Sequence, residues 1–128
     1  MIIGIGTDIV QIKRISITRQ RFGEKFIRRI LTLNEQIKMN TLQPQQQDAF
    51  LAKRYAGKEA VVKALGCGIG SLATWQEIEI LNDSHGAPYV QLSGKTAQTL
   101  ANKISSARIH ISLSDDNNAL AFVVIENG

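Results

Sequence analysis

The sequence predicts an α+β fold, an antiparallel sheet packed against one long helix and several short helices. Three observations point to it. Apolar and polar residues alternate with period two in several stretches of the C-terminal half. An unbroken helical run spans Ala49–Leu65. Apolar residues recur at spacings of three and four between Ile9 and Met39. At 128 residues the chain has the length of one domain, taken as 1–128, and a domain of this size buries about two thirds of the surface of its unfolded chain.

Ile2 to Gly6 is a short apolar run with two glycines, read as a first strand that ends near Asp8. Helical spacing follows from Ile9 to about Met39, in pieces broken around Gly23 and Thr32. Ile12 and Ile15, then Phe22, Phe26 and Ile30, form its expected buried stripe. Gln43-Pro44-Gln45-Gln46-Gln47 is polar, interrupted by proline, and reads as an exposed loop. Asp48 then caps the long helix, and Gly66 stops it. Trp75 to Ile80 alternates as a half-buried strand does, Asp83-Ser84-His85-Gly86 supplies a turn, and Tyr89 to Leu92 resumes the alternation. Ser93 or Gly94 opens a short helix with Ala97, Leu100, Ala101 and Ile104 on its apolar face. Two last strands, Arg108 to Ser114 and Ala119 to Glu126, flank the turn Asp115-Asp116-Asn117-Asn118.

No apolar run approaches the roughly 20 residues that span a bilayer, and Asp8 interrupts any signal-peptide pattern at the N-terminus. The single cysteine, Cys67, excludes an internal disulfide framework and a zinc cluster. The expectation is a soluble, reduced, cytoplasmic protein without membrane contact. Net charge is only +4, but Lys13, Arg14, Arg19, Arg21, Lys25, Arg28 and Arg29 face a single acid, Glu24, between Gln11 and Leu31. Such a field favours an anionic partner, whether nucleic acid, acidic protein or phosphate-rich cofactor; a solvated helical face is the plainer explanation.

Two segments carry chemistry. Gly4-Ile5-Gly6-Thr7-Asp8-Ile9-Val10 ends a buried strand with a carboxylate, and Lys58-Glu59-Ala60-Val61-Val62-Lys63-Ala64-Leu65-Gly66 lies on the long helix. Glu59 and Lys63 are four apart and share a face with Ala52 and Ala56, small residues that leave room for something bulky. Taken singly, Asp8 could be a helix cap, and Glu59 with Lys63 a surface ion pair. Along Ile109 to Ser114, His110, Ser112 and Ser114 face one way and the apolar residues the other.

Together these segments resemble the holo-acyl-carrier-protein synthases, the small bacterial 4′-phosphopantetheinyl transferases. Gly-Thr-Asp-Ile-Val near the N-terminus is followed by Phe50-Leu51-Ala52-Lys53-Arg54-Tyr55-Ala56-Gly57-Lys58-Glu59-Ala60 through Gly66, then Gly68-Ile69-Gly70, Gly86-Ala87-Pro88 and Ile109-His110-Ile111-Ser112-Leu113-Ser114-Asp115. The resemblance spans essentially the whole chain, and implies the 4′-phosphopantetheinyl transferase-like fold. It implies a transferase of lipid metabolism, which moves the 4′-phosphopantetheine group of coenzyme A to a serine of apo-acyl carrier protein. Adenosine 3′,5′-bisphosphate is released, in support of fatty acid biosynthesis.

It further implies Mg²⁺ held by Asp8 and Glu59, in keeping with a hard cation that takes one or two carboxylates plus substrate phosphates. Lys63 would contact the diphosphate and the departing group. The serine proton would pass to Glu59, directly or through a metal-bound water, and the sequence leaves both routes open. Arg54 and His110, with Ser112, would meet the cofactor's phosphates from a neighbouring subunit of a homotrimer. Arg14, with Arg21, Lys25 and Arg28 in support, would dock the acidic carrier protein. In a straight helix these four would fall within an arc of about 60°.

Gly57 departs from the family's usual residue and costs about 1 kcal/mol of helix stability. The turn after Ser114 also lacks the aromatic residue common before the last strand. Two rival readings are an RNA-binding module and an inactive trimeric scaffold. Aromatic residues, at 5%, are too sparse for obvious stacking platforms, and no RNA-binding motif appears, so no nucleic-acid partner is expected. The joint presence of Asp8, Glu59, Lys63 and His110 argues against the scaffold.

Overall fold

A computed structural model describes all residues, Met1–Gly128. Strand β1 (Ile2–Gln11) leads into three short helices, α1 (Ile12–Phe22), α2 (Glu24–Ile30) and α3 (Leu33–Asn40). The long helix α4 (Pro44–Leu65) follows. A 3₁₀ turn (Trp75–Glu77) precedes β2 (Ile78–Asn82), β3 (Pro88–Leu92), α5 (Gly94–Ala101), β4 (Ala107–Asp115) and β5 (Asn118–Asn127). β1, β5 and β4 form an antiparallel sheet in that order, and β2 pairs with β3 in a separate hairpin. The expected α+β architecture holds, with two sheets.

Helix α4 is the centre of the molecule. Twelve of its 22 residues are buried, and they lie all around it rather than along one stripe. It packs chiefly on β1 and β5, while α1, α2, α3, β2 and β4 touch its other sides. Gly4 and Gly6 make the approach of β1 possible. A Cβ on Gly4 would stand 2.0 Å from the Ala64 carbonyl oxygen, and one on Gly6 would stand 2.0 Å from that of Ala60. Gly57 is explained in the same way. A Cβ there would meet the Ile80 methyl at 2.5 Å, with Ile111 and Leu113 just beyond, so the glycine admits Ile80 to the core.

A buried ion pair binds the remaining segments to α4. Lys58 and Glu35 are both 0% exposed. The Lys58 ammonium donates to Glu35 Oε1 at 2.6 Å, to the Ile30 carbonyl at 2.6 Å and to the Trp75 carbonyl at 3.1 Å. Glu35 accepts in turn from the backbone N–H groups of Thr32 and Ile80, both at 2.8 Å. Burial pulls the Lys58 pKa down, and the charge of Glu35 opposes it.

Several local expectations are corrected. β1 runs on to Gln11, so Asp8 lies within the strand opposite Ala121, and α1 starts only at Ile12. Breaks occur at Gly23 (φ 61°, ψ −140°) and Thr32 as expected. The first of them means that Arg14 and Arg21 sit on a different helix from Lys25 and Arg28, so the single arc is lost. Phe22 is exposed, and Ile27 takes a buried place instead. The Gln-rich stretch is the first turn of α4: Pro44 occupies the first helical position, where its missing N–H costs nothing, and Gln43 with Gln46 forms a capping box. Asp48 therefore lies one turn inside the helix and pairs with Arg19 at 3.0 Å. Trp75 to Glu77 is the 3₁₀ turn rather than strand. In α5, Thr96 is buried while Ala101 is exposed. Gly66 ends α4 in the left-handed conformation, as expected.

Replacing Gly6 by alanine should force β1 away from α4 and cost about 2–3 kcal/mol. Urea unfolding measures this, and a loss below about 0.5 kcal/mol would show that the close approach is not needed.

Candidate active site

Asp8 and Glu59 are brought together by the packing just described. Asp8 follows Gly4 and Gly6 at alternate positions of β1, so its side chain points to the same face, toward α4. Glu59 precedes Ala60, whose carbonyl the strand nearly touches. The carboxyl of Glu59 is pushed above the ordinary carboxylate range, first by burial and then by the negative charge of Asp8, with Lys63 opposing. Glu59 makes no side-chain hydrogen bond. Two anions thus share one partly dry corner, an arrangement that favours a cation or a proton.

Lys63 partners differ from those its spacing suggests. Its ammonium donates to Asp8 Oδ1 at 3.0 Å and to the Thr7 carbonyl at 2.9 Å, so the local pair with Glu59 gives way to a tertiary one. The Lys63 side chain remains 51% exposed. Ala52 and Ala56, expected to line an open face, are wholly buried in the core and leave no room for a ligand.

Tyr55 has no role assigned by its motif alone, although it precedes Glu59 by one helical turn. Its ring stacks on Trp75 with centroids 5.2 Å apart. Burial holds its phenol above the usual range, the charges of Glu59 and Asp8 add to this, and Arg14 and Arg29 work against it. Tyr55 therefore stands between the acid pair and the basic helices. In those helices Arg19 is engaged by Asp48 and Gln47, whereas Arg14, Arg21, Lys25, Arg28 and Arg29 are exposed and make no ion pair. Thr18, Phe22, Lys25, Phe26 and Arg29 line a cleft of about 350 Å³ across the α1–α2 junction.

The remaining candidates lie elsewhere in the chain. Arg54 is 4% exposed, donates to Asn82 Oδ1 at 2.8 Å and rests 4.3 Å over the Phe50 ring. Its buried Nε has no partner. Burial lowers its pKa and Glu35 opposes. It lines a cleft of about 230 Å³ with Lys38, Asn82 and Tyr89. His110, Ser112 and Ser114 do share one exposed face of β4. That face is the outer one. His110 pairs through Val124 with Ile5, and Ser112 through Phe122 with Thr7, whereas Asp8 pairs through Ala121 with Leu113 on the inner side. The sheet separates His110 and Ser112 from the acid pair within one chain.

A small α+β chain with two carboxylates and a lysine between a strand and its central helix matches the family model described as 4′-phosphopantetheinyl transferase superfamily, over residues 4–123. The chain belongs to that superfamily. Within it, the chain is similar to proteins named holo-[acyl-carrier-protein] synthase. One from Orientia tsutsugamushi is 47% identical over 127 residues, covering 98% of this chain and 97% of the relative. The crystal structure of the synthase from Neisseria meningitidis superposes with a TM-score of 0.90 at 38% identity, covering 98% and 99% of the two chains. That from Bacillus anthracis, solved in complex with CoA (3′,5′-ADP), gives 0.84 at 36% identity, covering 100% and 99%.

The raised pKa of Glu59 has a stability consequence. The protonated form is favoured on folding, so this contribution is complete below the unfolded carboxyl pKa and is lost as pH rises through the folded one. Above the folded pKa the protein carries a charge that burial and Asp8 disfavour. Glu59→Gln should therefore raise Tm by about 1–3 °C at neutral pH, with the gain fading in acid. A lower Tm would show that the Glu59 charge stabilises the fold.

Proposed function

We propose that this chain, acting as one domain over residues 1–128, transfers 4′-phosphopantetheine from coenzyme A to a serine of apo-acyl carrier protein, releasing adenosine 3′,5′-bisphosphate in support of fatty acid biosynthesis. The observation that carries this is the acid pair of Asp8 and Glu59 with Lys63 alongside, in a member of a superfamily whose similar proteins bear that activity in their names. No helix is long and apolar enough to cross a membrane. A cytoplasmic site of action fits the single free cysteine.

The donor set fits magnesium. It consists of two carboxylates, one of them held against its own ionisation first by burial and then by the charge of the other, and no group of three or more possible ligands forms in the chain. An ion bound by Asp8 and Glu59 would complete its shell with substrate oxygens and water, as magnesium commonly does. Once bound, it supplies positive charge to the diphosphate. The residues do the rest by position and charge. The serine oxygen attacks the β-phosphorus, the bond to the adenosine bisphosphate breaks, and Lys63 donates to the departing phosphate. Glu59 is the carboxylate placed to take the serine proton, directly or through a water.

The cofactor's phosphates are assigned to Arg54, His110 and Ser112. The sheet stands between His110 and the acid pair of the same chain, which supports a site shared between subunits. The outer sheet face supports the same assembly, a homotrimer by family resemblance. Ile5 and Ile9 of β1 and Leu120 and Phe122 of β5 lie exposed in neighbouring rows beside the polar stripe of β4, an apolar surface suited to burial against a second copy. The carrier protein is assigned to the basic helices. Arg14, Arg21, Lys25 and Arg28 supply charge, and the cleft at Phe22 and Phe26 offers an apolar floor to an acidic partner.

Asp8→Ala and Glu59→Ala should each abolish the mass gain of apo-carrier protein incubated with coenzyme A and Mg²⁺, while circular dichroism stays native. Near-normal turnover by either variant at limiting Mg²⁺ would refute the metal assignment. Arg14→Glu should raise the KM for carrier protein several-fold, roughly 1 kcal/mol, and flatten its dependence on ionic strength. Unchanged carrier-protein kinetics would leave the basic helices as solvated surface.

A further inference from the structure

Glu126 has no part in the reaction as described, yet it holds the histidine of the phosphate-facing strand. On the outer sheet face Glu126 lies opposite Arg108, and His110 lies opposite Val124, so Glu126 and His110 are diagonal neighbours across β4 and β5. Glu126 Oε1 stands 2.8 Å from His110 Nε2 and 4.0 Å from Arg108 Nη1. The hydrogen bond from His110 holds the Glu126 carboxyl below its ordinary range, burial opposes this, and the charges of His110, Arg108 and the Met1 amino group add to it.

An ionised carboxylate can only accept, so His110 Nε2 carries a hydrogen. Two states of the ring remain. In the neutral ring, Nδ1 presents a lone pair, which repels phosphate oxygens. In the imidazolium, Nδ1 is a second donor, and only this state can hold Glu126 and a phosphate together. The charged groups that act on Glu126 are His110 and Arg108 of β4 and the Met1 amino group before β1. The apolar side chains of Ile5 and Val124 complete the row of His110.

We propose that Glu126 is a positioning residue for His110 in recognition of the cofactor's 3′-phosphate: its carboxylate accepts from Nε2 and so fixes the ring with Nδ1 free for the ligand. The proposal rests on the reading of His110 as a phosphate contact. Glu126 touches no ligand itself. Its charge is met by His110 and Arg108, so it does not oppose the anion it helps to bind.

Calorimetric titration of the full chain with adenosine 3′,5′-bisphosphate and with adenosine 5′-monophosphate separates the two ideas. The unsubstituted protein should prefer the bisphosphate over the monophosphate. His110→Ala should remove the preference. Glu126→Gln keeps size and an acceptor oxygen but loses the charge. It should weaken the bisphosphate roughly three- to tenfold more than the monophosphate at neutral pH. Glu126→Asp should recover part of that loss. If His110→Ala keeps the preference, the phosphate reading of His110 fails and the role of Glu126 falls with it. If His110→Ala loses the preference while Glu126→Gln keeps it, Glu126 is a structural partner only. Equal weakening of both nucleotides by Glu126→Gln overturns the proposal as well.

Discussion

The absence of two methyl groups governs this molecule. Without a Cβ at Gly4 and Gly6, β1 lies against the carbonyl groups of Ala60 and Ala64, closer than any side chain would allow. Strand geometry then carries the next inward position, Asp8, to the flank of α4 where Glu59 emerges. The spacing of the two carboxylates is therefore a packing result, set by main-chain contact rather than by flexible side chains. Lys63 is drawn in by the same approach, since its ammonium reaches both Asp8 and the Thr7 carbonyl of the strand.

A second constraint lies one residue away. Lys58 and Glu59 are consecutive, yet one is wholly buried and the other stands at the working surface. Burying the Lys58–Glu35 pair carries a desolvation cost that attraction alone need not repay. What the pair provides is placement. Glu35 satisfies main-chain groups at the start of α3 and on β2, and Lys58 satisfies those at the end of α2 and in the 3₁₀ turn. The basic helices are thereby held in fixed relation to α4, and Tyr55 sits at the junction between them and the acid pair.

What was legible in the sequence was mostly what local physics decides. The breaks at Gly23 and Thr32, the stop at Gly66 and the alternation of β4 each follow from neighbouring residues. The Gln-rich stretch misled because its composition is that of a loop, while Pro44 at a helix start and the Gln43–Gln46 caps are positional signals. The spacing that puts Phe22 in the core holds only for a continuous helix, and the break at Gly23 leaves it exposed. The Lys58–Glu35 pair could not be read at all: charged residues 23 positions apart give no periodic sign of meeting in a core. The Asp8–Lys63 contact was hidden for the same reason, since helical spacing offers Lys63 a nearer partner. Asp8 and Glu59 themselves were found through family resemblance, and their proximity is tertiary.

The opposed faces of the β1–β5–β4 sheet have a genetic consequence. The acid pair and the His110 stripe of one polypeptide face away from each other, so under the proposed assembly each pocket takes its walls from different copies. Lesions in the two walls then belong to separate complementation groups. A copy damaged at Asp8 still lends a sound strand to its neighbour, and a copy damaged at His110 still lends a sound acid pair. Two defective alleles expressed together would restore some working junctions that neither can form alone.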